Sequence, residues 1–334
     1  MATLTIQSPK GAGGPRMMTP GNTTMRRRVL QSAALGEWDA VREAVEKEGC
    51  NVNIQDEESC LSLVHWAAHQ GNEESLRWLI ERGAFLRPKD SRGEPPLTGA
   101  RGPAHSLLLE QAYSPPERVL YQRGVLDEAR LEALLGGLDA AALDEPLPDE
   151  AGATLAVALA GRHGGEGLGP GGALDALPLL RWLHARGANL EAVDDEGNAL
   201  LHMVDWSLGA EVSVPVAAWA LQDAKVAHKD LRNRDGDTPA LLCAYSSPTG
   251  DDALRCLQLL EAVGANLSLG SAKGMNTAMA LARYQGDGPW LSWCYTKAGV
   301  EPTALCARGR TAAQYLALHG AEESDEEAEA GAAS

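Results

Sequence analysis

The chain has 334 residues, of which 44% are hydrophobic, and its formal net charge at pH 7 is −17. This length suits two ordinary domains or one extended repeat array, and the acidity argues against nucleic-acid binding outside a short basic N-terminus. Six cysteines without a CxxC pair, in a chain too large to need disulfides, predict reduced, partly buried thiols in an intracellular protein, cytoplasmic or nuclear.

Residues 1–28 carry five basic groups, no acid and several Gly and Pro residues. This composition predicts a disordered basic N-terminal tail, because it offers few apolar side chains to bury. An acid-free segment with Ser and Thr is also typical of a transit peptide, and this alternative stays open. No apolar stretch in the chain approaches the roughly 18 residues of a transmembrane helix, so we expect no membrane insertion.

The stretch LVHWAAHQGNEESLRWLIERGA, residues 63–84, places His65 and His69 four residues apart on one helical face. Zinc metalloproteases bind their metal through such a pair, but they need a Glu directly after the first His, where this chain has Trp66. No third ligand follows at a suitable spacing. We therefore expect neither a metal site nor a catalytic residue here.

Two patterns recur along the chain. The first is a short amphipathic helix that ends at a glycine suited to the left-handed conformation, Gly83, Gly187 or Gly264. Its three copies are LRWLIERGA (76–84), LRWLHARGA (180–188) and LQLLEAVGA (257–265). The second pattern sets Asp or Asn three residues before Gly, followed by Thr or a small residue and an apolar pair, as in 194–204 and 233–244.

Together these patterns resemble the ankyrin-repeat family, whose repeats read D-x-x-G-x-T-P-L-H-x-A-A-x-x-G, followed by a second helix and Gly-Ala. The resemblance covers residues 29–320 and implies an all-α, ankyrin-type solenoid of about seven to eight degenerate helix-turn-helix repeats with β-turn fingers. It also implies that the ring of His65 bonds backbone across the turn. Stacking would give these small units the continuous core that none can form alone.

The resemblance is poor over residues 100–173. Leucines at helical spacing and closing glycines predict a helix over 126–137, and 149–165 fits a finger and a helix. The glycine-rich segment 161–172 contains a GxGxxG-like string, but it follows a helical pattern instead of a strand, which is the wrong context for a phosphate loop. We expect a glycine-rich insertion here, and no cofactor.

The resemblance further implies a concave groove, lined by finger tips and by the residues that follow the Ala pair of each inner helix. That position holds His69 in the first full repeat and aromatic residues in three consecutive later repeats, Trp206, Tyr245 and Tyr284. Trp and Tyr are favoured at binding hot spots, because they add large contact area at little cost in rotamer entropy. An alternative stays open, in which this aromatic column packs beneath the insertions.

The fingers beside the column contribute charged and polar side chains, and most of the charged ones are acidic. They are Asp195, Glu196 and Asn198, then Arg234, Asp235 and Asp237, then Lys273 and Asn276. An aromatic centre with a largely acidic rim suits a protein partner whose segment carries Lys or Arg with one or two apolar anchors. Residues 321–334 carry six acids and no base, which predicts an acidic disordered tail. As alternative roles, this tail could bind a basic partner, or the Arg26–Arg28 run of the same chain could compete for it.

No nucleophile and base stand at a recognisable spacing in the sequence. The ankyrin resemblance implies a non-catalytic scaffold or adaptor that binds a partner segment through groove and fingers, and we expect a monomer. The alternative is a stand-alone or truncated substrate-recognition arm, because HWAAHQGN and KGMNTAMALA (273–282) resemble the ankyrin arms that precede palmitoyltransferase cores. The Asp-His-His-Cys motif and transmembrane segments of those enzymes do not occur in this sequence.

Overall fold

A computed structural model describes residues 20–121, 128–161 and 176–319. These residues form helices joined by turns, and the β-type pairing among them consists of two isolated bridges. The prediction of a helical chain is therefore confirmed. The chain divides into two compact units, Met1–Ser114 and Pro115–Ser334. Among the described helices, none combines the length and the apolar character needed to cross a membrane.

The described residues of the first unit, from residue 20 onward, form five helices, α1 (Pro20–Leu35), α2 (Trp38–Glu46), α3 (Leu63–Gln70), α4 (Glu73–Glu81) and α5 (Gly102–Ala112). Helix α1 packs against α2 and α3, and α3 packs against α4 and α5.

Helix α1 includes residues 20–28, which composition assigned to the disordered tail. The difference has a physical reason, because the basic side chains of this stretch find partners in the folded unit. Arg26 Nε donates to the carbonyl of Gln55 at 2.7 Å, and the guanidinium of Arg28 lies 2.6 Å from the carboxylate of Glu48. Residues 1–19 lie outside the described part of the chain.

The second unit contains twelve helices among its described residues. They are α6 (Pro115–Tyr121), α7 (Glu128–Leu135), α8 (Ala140–Leu143), α9 (Leu155–Ala160), α10 (Ala176–Ala185), α11 (Leu200–Met203), α12 (Ala210–Ala218), α13 (Pro239–Ser246), α14 (Gly250–Ala262), α15 (Thr277–Tyr284), α16 (Pro289–Thr296) and α17 (Ala312–Ala317). Helices α9, α11, α13, α15 and α17 form a first row, in which each packs against the next. Helices α10, α12, α14 and α16 form a second row in the same way.

The predicted helix patterns coincide with elements of this structure. The three copies of the glycine-terminated pattern correspond to α4, α10 and α14, and their closing glycines have φ of 72°, 81° and 78°, in the left-handed region. The predicted helix over 126–137 is α7. Of the glycine-rich segment 161–172, all residues except Gly161 lie outside the described ranges.

Five-residue backbone hairpins, which we call fingers, precede several of these helices. The N–H of the first residue donates to the carbonyl of the fifth at 3.0 Å in each of the fingers 90–94, 194–198, 233–237, 271–275 and 306–310. In the first three of them, the side-chain Oδ1 of the leading Asp or Asn also accepts from the backbone N–H groups two and four residues later. This bonding explains why Asp or Asn begins the recurring pattern.

Backbone hydrogen bonds also join neighbouring fingers, and we call this series the finger ladder. In the second unit, an N–H of each finger donates to a carbonyl of the finger before it, or, for the first finger, to the carbonyl of Ala151 in the turn that the Leu147 N–H and the Ala153 carbonyl close at 2.9 Å. The bonds are Asp195 to Ala151 at 2.7 Å, Arg234 to Glu196 at 2.7 Å, Ala272 to Asp235 at 3.1 Å and Ala307 to Lys273 at 2.9 Å. The first unit contains one equivalent bond, from Ser91 to Ser59 at 2.9 Å.

Two buried histidines connect helices to the following finger. The Nδ1 atom of His65 accepts from the backbone N–H of Ser62 at 3.0 Å, so the ring proton resides on Nε2, which faces the carbonyl of Glu94 at 3.3 Å. In α11, Nδ1 of His202 likewise accepts from the N–H of Ala199, and Nε2 lies 3.0 Å and 3.2 Å from the carbonyls of Leu231 and Asp237. The prediction that His65 bonds backbone is confirmed.

We expect His202→Ala to lower the free energy of unfolding at pH 7.5 by about 1–3 kcal/mol, because it leaves the part-buried carbonyl of Leu231 without this donor and removes one of the two donors to the carbonyl of Asp237. Denaturant unfolding measures this change, and His184→Ala, at an exposed position on α10, is the control. Equal stability of the two variants would contradict the structural role of His202.

The same bond predicts a dependence on pH. Burial holds the pKa of His202 and of His65 below the usual 6.5. Above pH 6.5 the two imidazole rings are neutral in both the folded and the unfolded chain. As the pH falls below 6.5, the rings are protonated in the unfolded chain at a higher pH than in the folded chain. The free energy of unfolding of the wild type therefore decreases as the pH falls through 6.5. We expect the difference in this free energy between the wild type and His202→Ala, measured by denaturant unfolding, to be smaller at pH 5.5 than at pH 7.5.

Candidate functional site

A cleft of about 640 Å³ opens in the second unit, and we call it the tyrosine cleft. Its walls come from the fingers 233–237, 271–275 and 306–310 and from the C-terminal halves of helices α13, α15 and α17. Three consecutive finger-and-helix units therefore build one concavity.

The floor of the cleft is aromatic. Tyr245 of α13 and Tyr284 of α15 meet edge to face, with ring centroids 5.4 Å apart and an interplanar angle of 73°. Tyr284 is 52% exposed, although it is one of the largest hydrophobic side chains in the unit. Tyr315 of α17 completes the set, with its hydroxyl 3.3 Å from the sulfur of Cys306. Tyr245 and Tyr284, which the sequence places in one column, are therefore in direct contact.

Local sequence signals place these rings. Thr238 caps the N-terminus of α13 by accepting from the N–H of Leu241, and Pro239 occupies the first turn, where it needs no N–H partner. Asn276 caps α15 in the same way. Each helix then runs about two turns, and the tyrosine near its end lines the cleft together with finger residues.

The cleft contains one polar pair whose protonation the structure determines. The hydroxyl of Tyr245 donates to Oδ1 of Asp237 at 3.3 Å. Burial raises the pKa of Tyr245, and the neighbouring Asp237 carboxylate raises it further, so the phenol keeps its proton and remains the donor. Burial also raises the pKa of Asp237, against the opposing effect of that hydrogen bond.

The rim of the cleft is predominantly basic. Its cationic side chains are Arg234, Lys273, Arg283 and Arg308, and its acidic side chains are Asp235 and Asp237. This arrangement differs from the largely acidic rim that the finger sequences predict.

The reason for that difference lies in which finger residues reach the cleft. Asp195 and Glu196 belong to the finger 194–198, which does not line the cleft. Arg234 instead extends its guanidinium toward that finger and donates to the carbonyl of Asp195 at 2.6 Å. The sequence pattern locates a finger, but it does not specify the direction of each side chain on it.

Trp206 does not join the aromatic column. It is only 2% exposed and belongs to the hydrophobic core of the second unit, so its predicted role in partner contact is not supported by its position. Helix α11 ends at Met203, Val204 adopts ψ 125°, and the side chain of Asp205 caps a separate 3-10 turn by accepting from the N–H of Ser207. This early break turns the indole into the core.

His69 lies in the first unit and is therefore not part of the tyrosine cleft. Its ring meets Trp66 edge to face at 6.4 Å. It also lies against the backbone of Gly99, where an added Cβ would stand 2.1 Å from Nε2. The close approach needs a glycine at position 99 and covers one side of the His69 ring.

Among the charged and aromatic residues that line the cleft, the sequence analysis does not identify Arg283, Arg308 and Tyr315. The column rule selects Leu318 in the last repeat, whereas the structure brings Tyr315 into the cleft from one turn earlier. Arg283 directly precedes Tyr284, and Arg308 stands at the tip of its finger, so their neighbours in sequence are the only signals that indicate them.

All six cysteines are free thiols, and five of them are buried, as the sequence predicts. Burial raises the pKa of Cys294 to about 12. Within the described ranges, no group of three or more His, Cys, Asp or Glu side chains is arranged to hold a metal ion.

Comparison with known proteins adds no assignment, since neither the protein-family models nor the curated proteins contain a match to this chain. The geometry of the tyrosine cleft is therefore the main basis for a functional conclusion.

The contrast between Trp206 and Tyr284 is directly testable. Trp206→Ala removes a fully packed indole, and we expect it to lower the free energy of unfolding by about 3–5 kcal/mol. Tyr284→Ala removes a half-exposed ring, and we expect a cost below about 1 kcal/mol. Denaturant unfolding of both variants measures the difference, and similar costs would show that one of the two rings has the wrong placement.

Proposed function

We propose that this chain is a non-catalytic protein-interaction module of the ankyrin-repeat type, and that it binds a segment of a partner protein in the tyrosine cleft. The repeating features of the second unit support the ankyrin type. They are the two rows of short helices, the left-handed glycines after α10 and α14, the closed fingers and the ladder between them. The buried histidine at the same place in α3 and α11 supports it further.

The exposed ring of Tyr284 supports the choice of the cleft. Half of its surface remains in contact with water, while its edge-to-face contact with Tyr245 restrains its orientation. A restrained, amphipathic ring is the kind of side chain that contributes most to protein interfaces. A volume of about 640 Å³ is enough to hold one or two side chains of a bound segment.

The charges of the rim define the chemistry of the partner segment. Four cationic side chains face two acidic ones, so a segment with carboxylates beside an apolar anchor suits the cleft better than the Lys- or Arg-bearing segment suggested by sequence alone. Asp237 is already engaged by Tyr245, which leaves the exposed Asp235 as the acidic group available to a partner.

A matched pair of variants tests this proposal by capture of partners from lysate. Tyr284→Ala/Lys273→Glu removes the ring and reverses one rim charge, and we expect it to weaken partner retention by about tenfold or more, because it changes a hot spot and its rim. The control is Val212→Ala/Arg181→Glu, which makes the same kind of change at exposed positions outside the cleft.

Far-UV circular dichroism and thermal unfolding first establish that both variants are folded. A partner kept by the wild type and the control, and lost by the cleft variant, supports the proposal. Equal retention by all three proteins, or no partner for any of them, contradicts it.

A further inference from the structure

The described part of the chain ends at His319, beside the tyrosine cleft. Arg283, which lines the cleft, donates to the carbonyl of Leu318, and Nδ1 of His319 lies 2.9 Å from the carbonyl oxygen of Arg283. Two hydrogen bonds thus tie the end of the described region to a residue of the cleft wall. The next acidic residues in the sequence begin at Glu322, three positions after His319.

The rim contains more cationic than acidic side chains, and three of its cationic groups have no carboxylate of the described chain within ion-pair distance. Among the described residues, Arg234, Lys273 and Arg308 form no ion pair, and the guanidinium of Arg234 bonds a backbone carbonyl instead. Elsewhere in the second unit, arginine side chains pair with carboxylates, as Arg255 does with Glu211 at 2.6 Å and Arg186 does with Glu132. In a chain with a net charge of −17, an uncompensated basic rim is the surface toward which an acidic segment is drawn.

We infer that residues 321–334 dock in cis on the tyrosine cleft, with carboxylates of the acidic run against Lys273 and Arg308. The six acids of this segment lie between Glu322 and Glu329, and the segment contains no base. An extended chain spans about 3.3–3.6 Å per residue, so these acids reach from roughly 10 to 35 Å beyond His319. The cleft that His319 adjoins lies within this reach.

The covalent link between His319 and the acidic segment lets individually weak contacts hold that segment in the cleft. A single exposed ion pair stabilises a complex little, and salt screens it. A short covalent connection, however, holds the acidic segment near the rim at an effective concentration on the order of millimolar. The docked segment would compete with a partner for the cleft, and this consequence alone depends on the proposed function.

The test uses a fluorescein-labelled peptide of residues 321–334 and full-length chains, followed by fluorescence anisotropy at low salt. In a neutral-segment chain the six acids are replaced by their amides, so that the tethered segment no longer competes. The replacements are Glu322→Gln, Glu323→Gln, Asp325→Asn, Glu326→Gln, Glu327→Gln and Glu329→Gln. We expect this chain to bind the peptide on the order of tenfold more tightly than the wild type does.

A second pair of variants, both made in the neutral-segment chain, locates the binding surface. Lys273→Glu/Arg308→Glu is expected to reduce peptide affinity by at least tenfold. Arg181→Glu/Lys297→Glu changes the net charge equally at exposed positions outside the cleft and is expected to retain the affinity. Thermal unfolding confirms that each variant is folded.

Carbodiimide cross-linking of the intact wild-type chain provides an independent readout, with the expected product joining Lys273 to an acid between Glu322 and Glu329. The inference is overturned by equal peptide affinity of the wild-type and neutral-segment chains, or by no peptide binding to the latter. Equal loss in the two double variants would also overturn it. Because the experiment needs no partner protein, its outcome is separable from failure of the proposed function.

Discussion

The hydrogen bond from each finger to the next is the interaction on which the rest of the second unit depends. A finger has few apolar side chains, so packing alone would not hold its tip in a defined position. The ladder supplies that restraint through backbone groups, and it therefore tolerates changes of side chain along the repeats. Asp235 and Lys273 show the consequence, since their carbonyls accept ladder bonds while their side chains line the tyrosine cleft.

Small side chains in the first row provide the matching restraint beneath the cleft. Ala240 and Ala244 in α13, and Ala278 and Ala282 in α15, are almost completely buried, and their size lets the two helices approach closely. This approach brings Tyr245 and Tyr284 to 5.4 Å. Larger residues at these positions would separate the rings and widen the floor of the cleft, so packing and site geometry are linked.

Much of this architecture follows from local sequence signals. Glycines at helix ends, capping residues at helix starts and the Asp or Asn of each finger act over a few residues, so a single sequence suffices to predict them. The sequence also selects Tyr245 and Tyr284 together, although the two rings differ by one position relative to the residues that cap their helices, Thr238 and Asn276.

The remaining features depend on choices that the sequence pattern does not encode. Trp206 is buried because Asp205 caps a new turn instead of continuing α11, and a one-residue competition of this kind is invisible to a repeat alignment. The basic character of the rim depends on the direction of Arg234 and on Arg283 and Arg308, which come from a helix and a finger that are distant in sequence. Tertiary contacts, rather than local propensity, decide these positions.

Hydrogen exchange of the finger amides tests the central role of the ladder most directly. The N–H groups of Arg234, Ala272 and Ala307 lie at finger tips near solvent, and each donates to the preceding finger. We predict that they exchange with water at least about tenfold more slowly than the amide of Lys273, which also lies at a finger tip and for which the described structure contains no such acceptor. Exchange of the three ladder amides as fast as that of Lys273 would show that the fingers move independently, and would contradict the account.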